Sequence, residues 1–202
     1  YAEQCRHNDG SMMPRVTTGS GDFSPVSYQK AFGMETLWGS SSYDDPTGQT
    51  PHEIKIHPAQ SEAQPHHDFS PSGEQTVTVP FSASFDPTTG TPSASFTVDG
   101  QSVSDSDLTD DGVPLDGELA ITTKAQDHAG DLAAVDNIEI NGMPIGSVQA
   151  SFAGDSLSWL AVSGLDFTVP VTVTGDLTMT VDEGNYDVNS YKASPGMGID
   201  WK

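Results

Sequence analysis

Apolar and polar residues alternate strictly over residues 165–182, which read LDFTVPVTVTGDLTMTVD. Every odd-numbered position is apolar or glycine, and every even-numbered position is polar or proline. A period of two is typical of a β-strand with one face on a core and the other in water. The stretch is longer than most strands, so Gly175 and Asp176 predict a turn or a sharp bend within it.

The parity of the apolar positions restricts that turn. A two-residue loop would place Val173 and Leu177 on opposite faces, whereas a three-residue loop over 174–176 pairs them on one face. The sequence therefore predicts either a hairpin with a three-residue loop or one kinked strand. In both cases Val171, Val173, Leu177 and Met179 are expected to be buried and close together. Phe81 and Phe85 are expected on an inward face elsewhere in the fold.

A second stretch, residues 76–86 (TVTVPFSASFD), alternates just as cleanly. Pro80 and Pro170 stand at outward positions of the two stretches. Because proline donates no ladder hydrogen bond, each stretch is expected at a sheet edge or at a bulge. Turn-forming residues separate further strand candidates, which are residues 93–98, 118–124, 137–141, 147–152, 157–162 and 186–192. Their spacing predicts an all-β fold, a β-sandwich of the jelly-roll or Ig-like type.

Residues 1–73 differ from the rest because they contain seven of the 14 prolines and no sustained alternation. Residues 26–37 predict either a helical turn or a short strand, and residues 52–57 a short strand. We therefore expect residues 1–73 to form a long irregular N-terminal arm and residues 74–202 to form the sandwich domain. Long irregular segments usually pack on something, here either the main domain or a neighbouring subunit. The second alternative predicts a homo-oligomer or polymer through the arm.

The charge of the chain narrows its partners. Asp and Glu number 29 against seven Lys and Arg, a formal net charge of −22. Nucleic acid and anionic membranes are not expected as partners, because phosphate binding needs clustered basic residues. No apolar run reaches the length of a membrane span. The acidic residues indicate either a solubilising surface or a need for salt or divalent cations.

The first residue and the cysteine content indicate the cellular location of the protein. It begins at Tyr1 rather than at Met, as expected if a signal peptide has been removed. Its single cysteine, Cys5, excludes an internal disulfide and leaves a free thiol or an intermolecular bridge. We therefore expect an extracellular or cell-surface protein, with a virion as a further location.

The clearest chemical motif is residues 107–118, DLTDDGVPLDGE. It matches the spacing D-x-[DN]-x-[DN]-G-x5-E at its first, fifth, sixth and twelfth positions. The loop resembles the calcium loops of EF-hand and dockerin-type proteins, although Thr109 replaces an acid and the flanks do not predict helices. The resemblance implies a calcium site whose ligands are Asp107, Thr109, Asp111, the Val113 carbonyl and Glu118. A solvated acidic turn explains the same residues and stays open as the alternative.

Other candidate sites have weaker patterns. Residues 127–131 (DHAGD) resemble a turn of bacterial Ig-like surface modules, and a third oxygen-rich turn contains Asp182, Asn185, Asp187 and Asn189. The histidines at 52, 57, 66 and 67 match no zinc spacing. Trp38 and Trp201 are expected to be available for stacking on a glycan, and Trp159 is expected in the core.

No nucleophile elbow, phosphate loop or nucleotide-binding fingerprint occurs in the sequence. The sequence therefore predicts a non-enzymatic structural subunit of a secreted or cell-surface filament, sheath or coat, or of a virion. The alternative is a calcium-dependent carbohydrate-binding module on the same fold.

Overall fold

The computed structural model describes residues 14–21, 30–38, 53–57, 74–98, 101–105, 117–125, 129–182 and 192–201. These residues form β-strands joined by turns, and the sequence's prediction of an all-β sandwich is confirmed. In chain order the strands are β1 (Arg15–Ser20), β2 (Lys30–Trp38), β3 (Glu53–His57), β4 (Glu74–Asp86), β5 (Thr91–Val98), β6 (Gln101–Asp105), β7 (Glu118–Lys124), β8 (Leu132–Ile140), β9 (Met143–Ser151), β10 (Leu157–Ser163), β11 (Val171–Asp182) and β12 (Lys192–Trp201).

Two antiparallel sheets pack face to face. The first sheet has the order β1-β10-β7-β12-β2-β3, and the second has the order β6-β5-β4-β11-β8-β9. In the central strands β4 and β11, period-two alternation places one residue in two on the inner face. The first sheet contributes Leu119, Ile121 and Leu160 to the shared core, and the second contributes Val79 and Leu177.

Strand β11 is one continuous strand at the centre of the second sheet. It pairs with β4 along its whole length of 12 residues, from Val171 opposite Phe85 to Asp182 opposite Glu74. Its pairing with β8 shifts register between Thr174 and Asp176. The kinked-strand alternative is therefore right and the hairpin is wrong.

The kink is explained by what surrounds Gly175. A Cβ there would lie 2.9 Å from Cε1 of Phe81 and 3.1 Å from the carbonyl oxygen of Asp136. Glycine thus lets an aromatic ring and a backbone approach the strand, and the residue is not a chain reversal. Residues 165–170 precede the strand instead of belonging to it, and Val169 is 48% exposed despite its apolar parity.

The burial predicted for this region is confirmed. Val171, Val173, Leu177 and Met179 are all buried in the one core cluster. Phe81 and Phe85 are also buried, but they lie on the strand next to β11 and not elsewhere in the sandwich.

The prolines were only partly understood from the sequence. Strand β4 lies between β5 and β11 and neither of its ladders shifts register, so the bulge expected at Pro80 is wrong and β4 as a whole is not an edge strand. The edge is local, because the pairing of β4 with β5 starts only at Phe81 and leaves Pro80 outside that ladder. Pro170 stands one residue before β11. Pro144 lies in β9, which is an edge strand of the second sheet.

Most of the other predicted strands occur, with different ends. The predicted segments 93–98, 118–124 and 157–162 lie in β5, β7 and β10, and β3 covers most of 52–57. The segments 137–141 and 147–152 overlap longer strands, β8 and β9. Residues 186–191 lie outside the described residues, and residue 192 opens β12. Strands β1, β6 and most of β12 were not predicted.

Three strands from the N-terminal region belong to the first sheet of the same chain. Strand β1 pairs with β10, β2 pairs with β12, and β3 pairs with β2. Residues 26–37 therefore form mostly strand, and not a helical turn, from Lys30 onward. The domain boundary at residue 73 stays a prediction. Among the described residues, no helix is long and apolar enough to cross a membrane.

Candidate functional site

Of the five predicted calcium ligands, the structure describes only the last one, Glu118. Glu118 opens β7, is half-buried and pairs with Ser163 of β10. The other predicted ligands lie outside the described residues, namely Asp107, Thr109, Asp111 and Val113. Within the described ranges, no cluster of three or more His, Cys, Asp or Glu side chains could hold a metal ion. Calcium at this loop stays a prediction.

The end of the loop is fixed to the segment that precedes β11. Gly117 has a φ of 97°, a left-handed conformation that favours glycine. Its carbonyl accepts a hydrogen bond of 3.0 Å from the amide of Leu165. A Cβ at Gly117 would lie 2.8 Å from the carbonyl oxygen of Leu165, so a side chain at this position would separate the two segments.

The remaining oxygen-rich turns and histidines form no ligand set in the described structure. Asp131 is 2% exposed, and its carbonyl accepts a hydrogen bond from the amide of Phe152 at 3.0 Å. Gly130 has a φ of 97°, as expected for a turn. His57 ends β3 and Asp182 ends β11. Cys5 lies outside the described residues. So do the other residues of the predicted clusters, which are His52, His66, His67, Asp127, His128, Asn185, Asp187 and Asn189.

Two of the three tryptophans occupy different places from those expected. Trp201 was expected to be available for a ligand, but it is fully buried, with ring centroids 5.9 Å from Phe167 and 6.5 Å from Phe85. Trp159 was expected in the core, but it is half-buried on the outer face because Leu160 and Val162 take the inner parity of β10. Trp38 is the last residue of β2.

Strand β1 closes one edge of the first sheet and buries almost nothing. Its six residues pair one by one with β10, from Arg15 opposite Ser163 to Ser20 opposite Ser158. Five of the six are exposed and only Gly19 is half-buried, while Val16, the one apolar side chain, is 38% exposed. The amide of Gly21 adds a hydrogen bond of 2.9 Å to the carbonyl of Leu157. The strand is therefore held by its backbone ladder and not by the core.

One side-chain contact fixes the register of this pairing. A Cβ on Gly19 would overlap Cζ2 of Trp159 and lie 2.5 Å from its Cε2, so the indole covers the glycine. Any side chain at position 19 would have to displace the ring. We call the six-residue ladder together with the Gly19–Trp159 contact the β1–β10 seam.

A shallow cavity lies beside the seam on the same outer face. Thr122 of β7 is opposite Trp159 of β10, and Gly198 of β12 is opposite Thr122. Two glycines of β12, Gly196 and Gly198, line a volume of about 230 Å³. Its lining residues are Thr122, Thr123, Lys124, Leu157, Gly196, Met197 and Gly198.

No protein-family model matches the chain, and no curated protein matches it.

The β1–β10 seam was missed from the sequence because residues 15–20 contain a single apolar side chain and therefore show no alternation. A different signal was available. The run Val16-Thr17-Thr18 is entirely β-branched, and Pro14 and Gly21 bound it. β-Branched residues between turn formers are typical of strands even where they bury little.

Proposed function

We propose that the protein is a non-enzymatic structural subunit of a secreted or cell-surface assembly, such as a filament, sheath or coat, or of a virion. The observation that carries the proposal is β1, an N-terminal strand that completes an edge of the sandwich without burying a side chain in the core. Addition of a strand to a sheet edge is a common way in which β-proteins join, because main-chain hydrogen bonds supply the affinity.

The charge of the chain supports a condition-dependent assembly. Copies with a net charge of −22 repel one another at low ionic strength. Salt or divalent cations lower that repulsion. The backbone hydrogen bonds of a strand ladder are little affected by added salt. Assembly is therefore expected to increase with salt or with millimolar calcium.

The proposal is tested with the purified chain and a variant that lacks residues 1–21. This deletion removes β1 and keeps β2 and β3, so the rest of the first sheet is intact. Electron microscopy and light scattering across salt concentrations are expected to show polymers of the full chain and no polymer of the variant, whose bare β10 edge can at most pair with one other such edge.

Because the deletion also removes Cys5, the matched control is the full chain with Cys5→Ser, which separates loss of a disulfide from loss of β1. A full chain that stays monomeric under all these conditions contradicts the proposal. A truncated chain that assembles like the parent contradicts it as well.

Carbohydrate binding is a second candidate, favoured by the half-buried Trp159 next to the glycine-floored cavity. Indole faces stack on sugar rings, and the cavity lining includes two polar residues, Thr122 and Lys124. Calorimetric titration with neutral polysaccharides, with and without calcium, tests this candidate. Trp159→Ala is expected to abolish binding, and Phe152→Ala, at an exposed turn residue, is the matched control.

A further inference from the structure

We propose that β1 is the strand that copies exchange, so that residues 15–20 of one subunit pair with β10 of a second subunit through the β1–β10 seam. This inference rests on the proposed function and names the partner of its edge, a second copy of this chain. In an exchanged assembly each seam keeps the register of the single chain, with Gly19 of one copy under Trp159 of the other.

Strand β1 can leave the sheet without disturbing the core. None of its side chains belongs to the buried cluster, whereas its neighbour β10 contributes Leu160 and Val162 to that cluster. Removing β1 therefore costs a ladder of backbone hydrogen bonds and the Gly19–Trp159 contact, but opens no cavity between the sheets.

Strand β10, in contrast, is unsuited to remaining without a partner strand on that side. A bare β10 would present a row of seven residues at a sheet edge, and such an edge recruits another strand. Two strands compete for it, namely β1 of the same chain and β1 of a neighbour. Both make identical contacts, which is the condition for exchange of an element between subunits.

The edge of β10 also restricts which strand fits it. Because the indole of Trp159 occupies the space of a Cβ at position 19, the incoming strand needs glycine at that position. Its charge must also suit a chain that is acidic as a whole. The strand RVTTGS contains one basic residue and no acidic residue in a chain of net charge −22. Arg15 of β1 is opposite Ser163 of β10, which in turn is opposite Glu118 of β7. Two strand spacings therefore separate the backbones of Arg15 and Glu118, a distance of about 10 Å.

The experiment uses two single-cysteine chains, both with Cys5→Ser. One carries Thr17→Cys on β1 and the other carries Ala161→Cys on β10, two positions that are opposite each other. Directly opposed residues of antiparallel strands have Cα atoms about 4.5–5.5 Å apart, within the range of a disulfide. The chains carry tags of different length, are mixed under assembling conditions and are oxidised.

Exchange predicts a disulfide between the two differently tagged chains, since neither chain can form it alone. A mixture of the Thr17→Cys chain with a Thr88→Cys chain is the matched control, because Thr88 is exposed in a turn of the other sheet. Adding Gly19→Val to the Thr17→Cys chain is expected to lower the yield about tenfold, because it overpacks the seam. Trp159→Ala in the acceptor chain is expected to restore the yield.

A chain that carries both Thr17→Cys and Ala161→Cys distinguishes the ways in which the proposal can fail. If light scattering shows assembly but only this chain cross-links, within itself, then β1 stays with its own sandwich. That result overturns the exchange and leaves the proposed function standing. If the chains assemble and no combination cross-links, the seam itself is wrong. If no mixture assembles, the proposed function and the exchange are both overturned.

Discussion

Strands β11 and β1 make similar ladders and have opposite relations to the core. Strand β11 pairs on both sides and buries Val171, Val173, Leu177 and Met179 between the sheets. Within the described part of the chain, strand β1 pairs on one side only, and five of its six residues are exposed. Both strands contain a glycine against which an aromatic ring of the neighbouring strand packs.

The comparison separates two contributions to the stability of a strand. Each backbone hydrogen bond contributes only about 1 kcal/mol net, since water competes for the same groups. Burial of a Val or Leu side chain contributes about 1.5–3 kcal/mol. Strand β11 has both contributions, so it should unfold only with the whole sandwich. Strand β1 has the first alone, so it should open by itself.

The largest effect is expected from a charge placed in the core on β11. Val171→Asp would bury an unpaired carboxylate and is expected to destabilise the protein by about 4 kcal/mol or more. Thr172→Asp is the matched control, because the next residue faces the other way and is half-exposed, and it should change stability by less than about 0.5 kcal/mol. Denaturant unfolding at neutral pH measures both, and equal effects would show that the register is wrong.

A smaller effect is expected at the glycine of β11. Gly175→Ala places a Cβ against the ring of Phe81 and the carbonyl of Asp136, and the backbone atom cannot move away cheaply. The expected cost is about 1–3 kcal/mol, measured as a lower denaturant midpoint with an unchanged slope. A neutral or stabilising result would mean that the bend has more room than the geometry allows.

The equivalent change on β1 should have little global effect. Gly19→Val displaces the indole of Trp159 and is expected to release β1, but to lower the global free energy of unfolding by less than about 1 kcal/mol. Trp fluorescence should move toward that of an exposed indole while the unfolding midpoint stays nearly constant. A loss of stability comparable to that of Val171→Asp would show that β1 supports the core.

The smallest effect is expected at an exposed turn before β11. Thr168 donates its hydroxyl to Asp166 Oδ1 at 2.6 Å and its amide to the same oxygen at 2.9 Å, and these bonds lower the pKa of Asp166. A lowered folded pKa contributes stability above the ordinary Asp value of about 3.9, and that contribution is lost as the pH falls through the folded value. Asp166→Asn should therefore reduce the stability difference between neutral and acidic pH slightly. An unchanged difference would show that the turn does not depend on the carboxylate.

The sandwich was predictable because its central strands alternate. Residues 76–86 and 171–182 each have one face in the core, and a period of two indicates such a face without further information. The parity of the apolar positions correctly predicted that Val173 and Leu177 share one face, although the predicted hairpin does not form. Gly175 was ambiguous because glycine suits both a turn and a close approach of an aromatic ring, and only the position of Phe81 distinguishes them.

The strands that were missed depend on neighbours and not on their own pattern. Strand β12 contains Pro195, Gly196 and Gly198, which predict a loop, yet ladders on both sides hold it in the sheet. Strand β1 has no apolar alternation and is a strand because β10 offers an edge. The tryptophans were misplaced for a related reason, since the inner parity of β10 and β12 depends on which face the partner sheet covers.

Native-state hydrogen exchange of the full chain measures the difference between the two strands most directly. The account predicts that the amides of Val173 to Met179 in β11 exchange only through global unfolding, and that those of Val16 to Ser20 in β1 exchange much faster, through local opening that is insensitive to denaturant. Gly19→Val should remove the remaining protection of β1 and leave that of β11 unchanged. If the β1 amides are instead as protected as those of β11, then β1 is part of the cooperative core and is not a strand that can be exchanged.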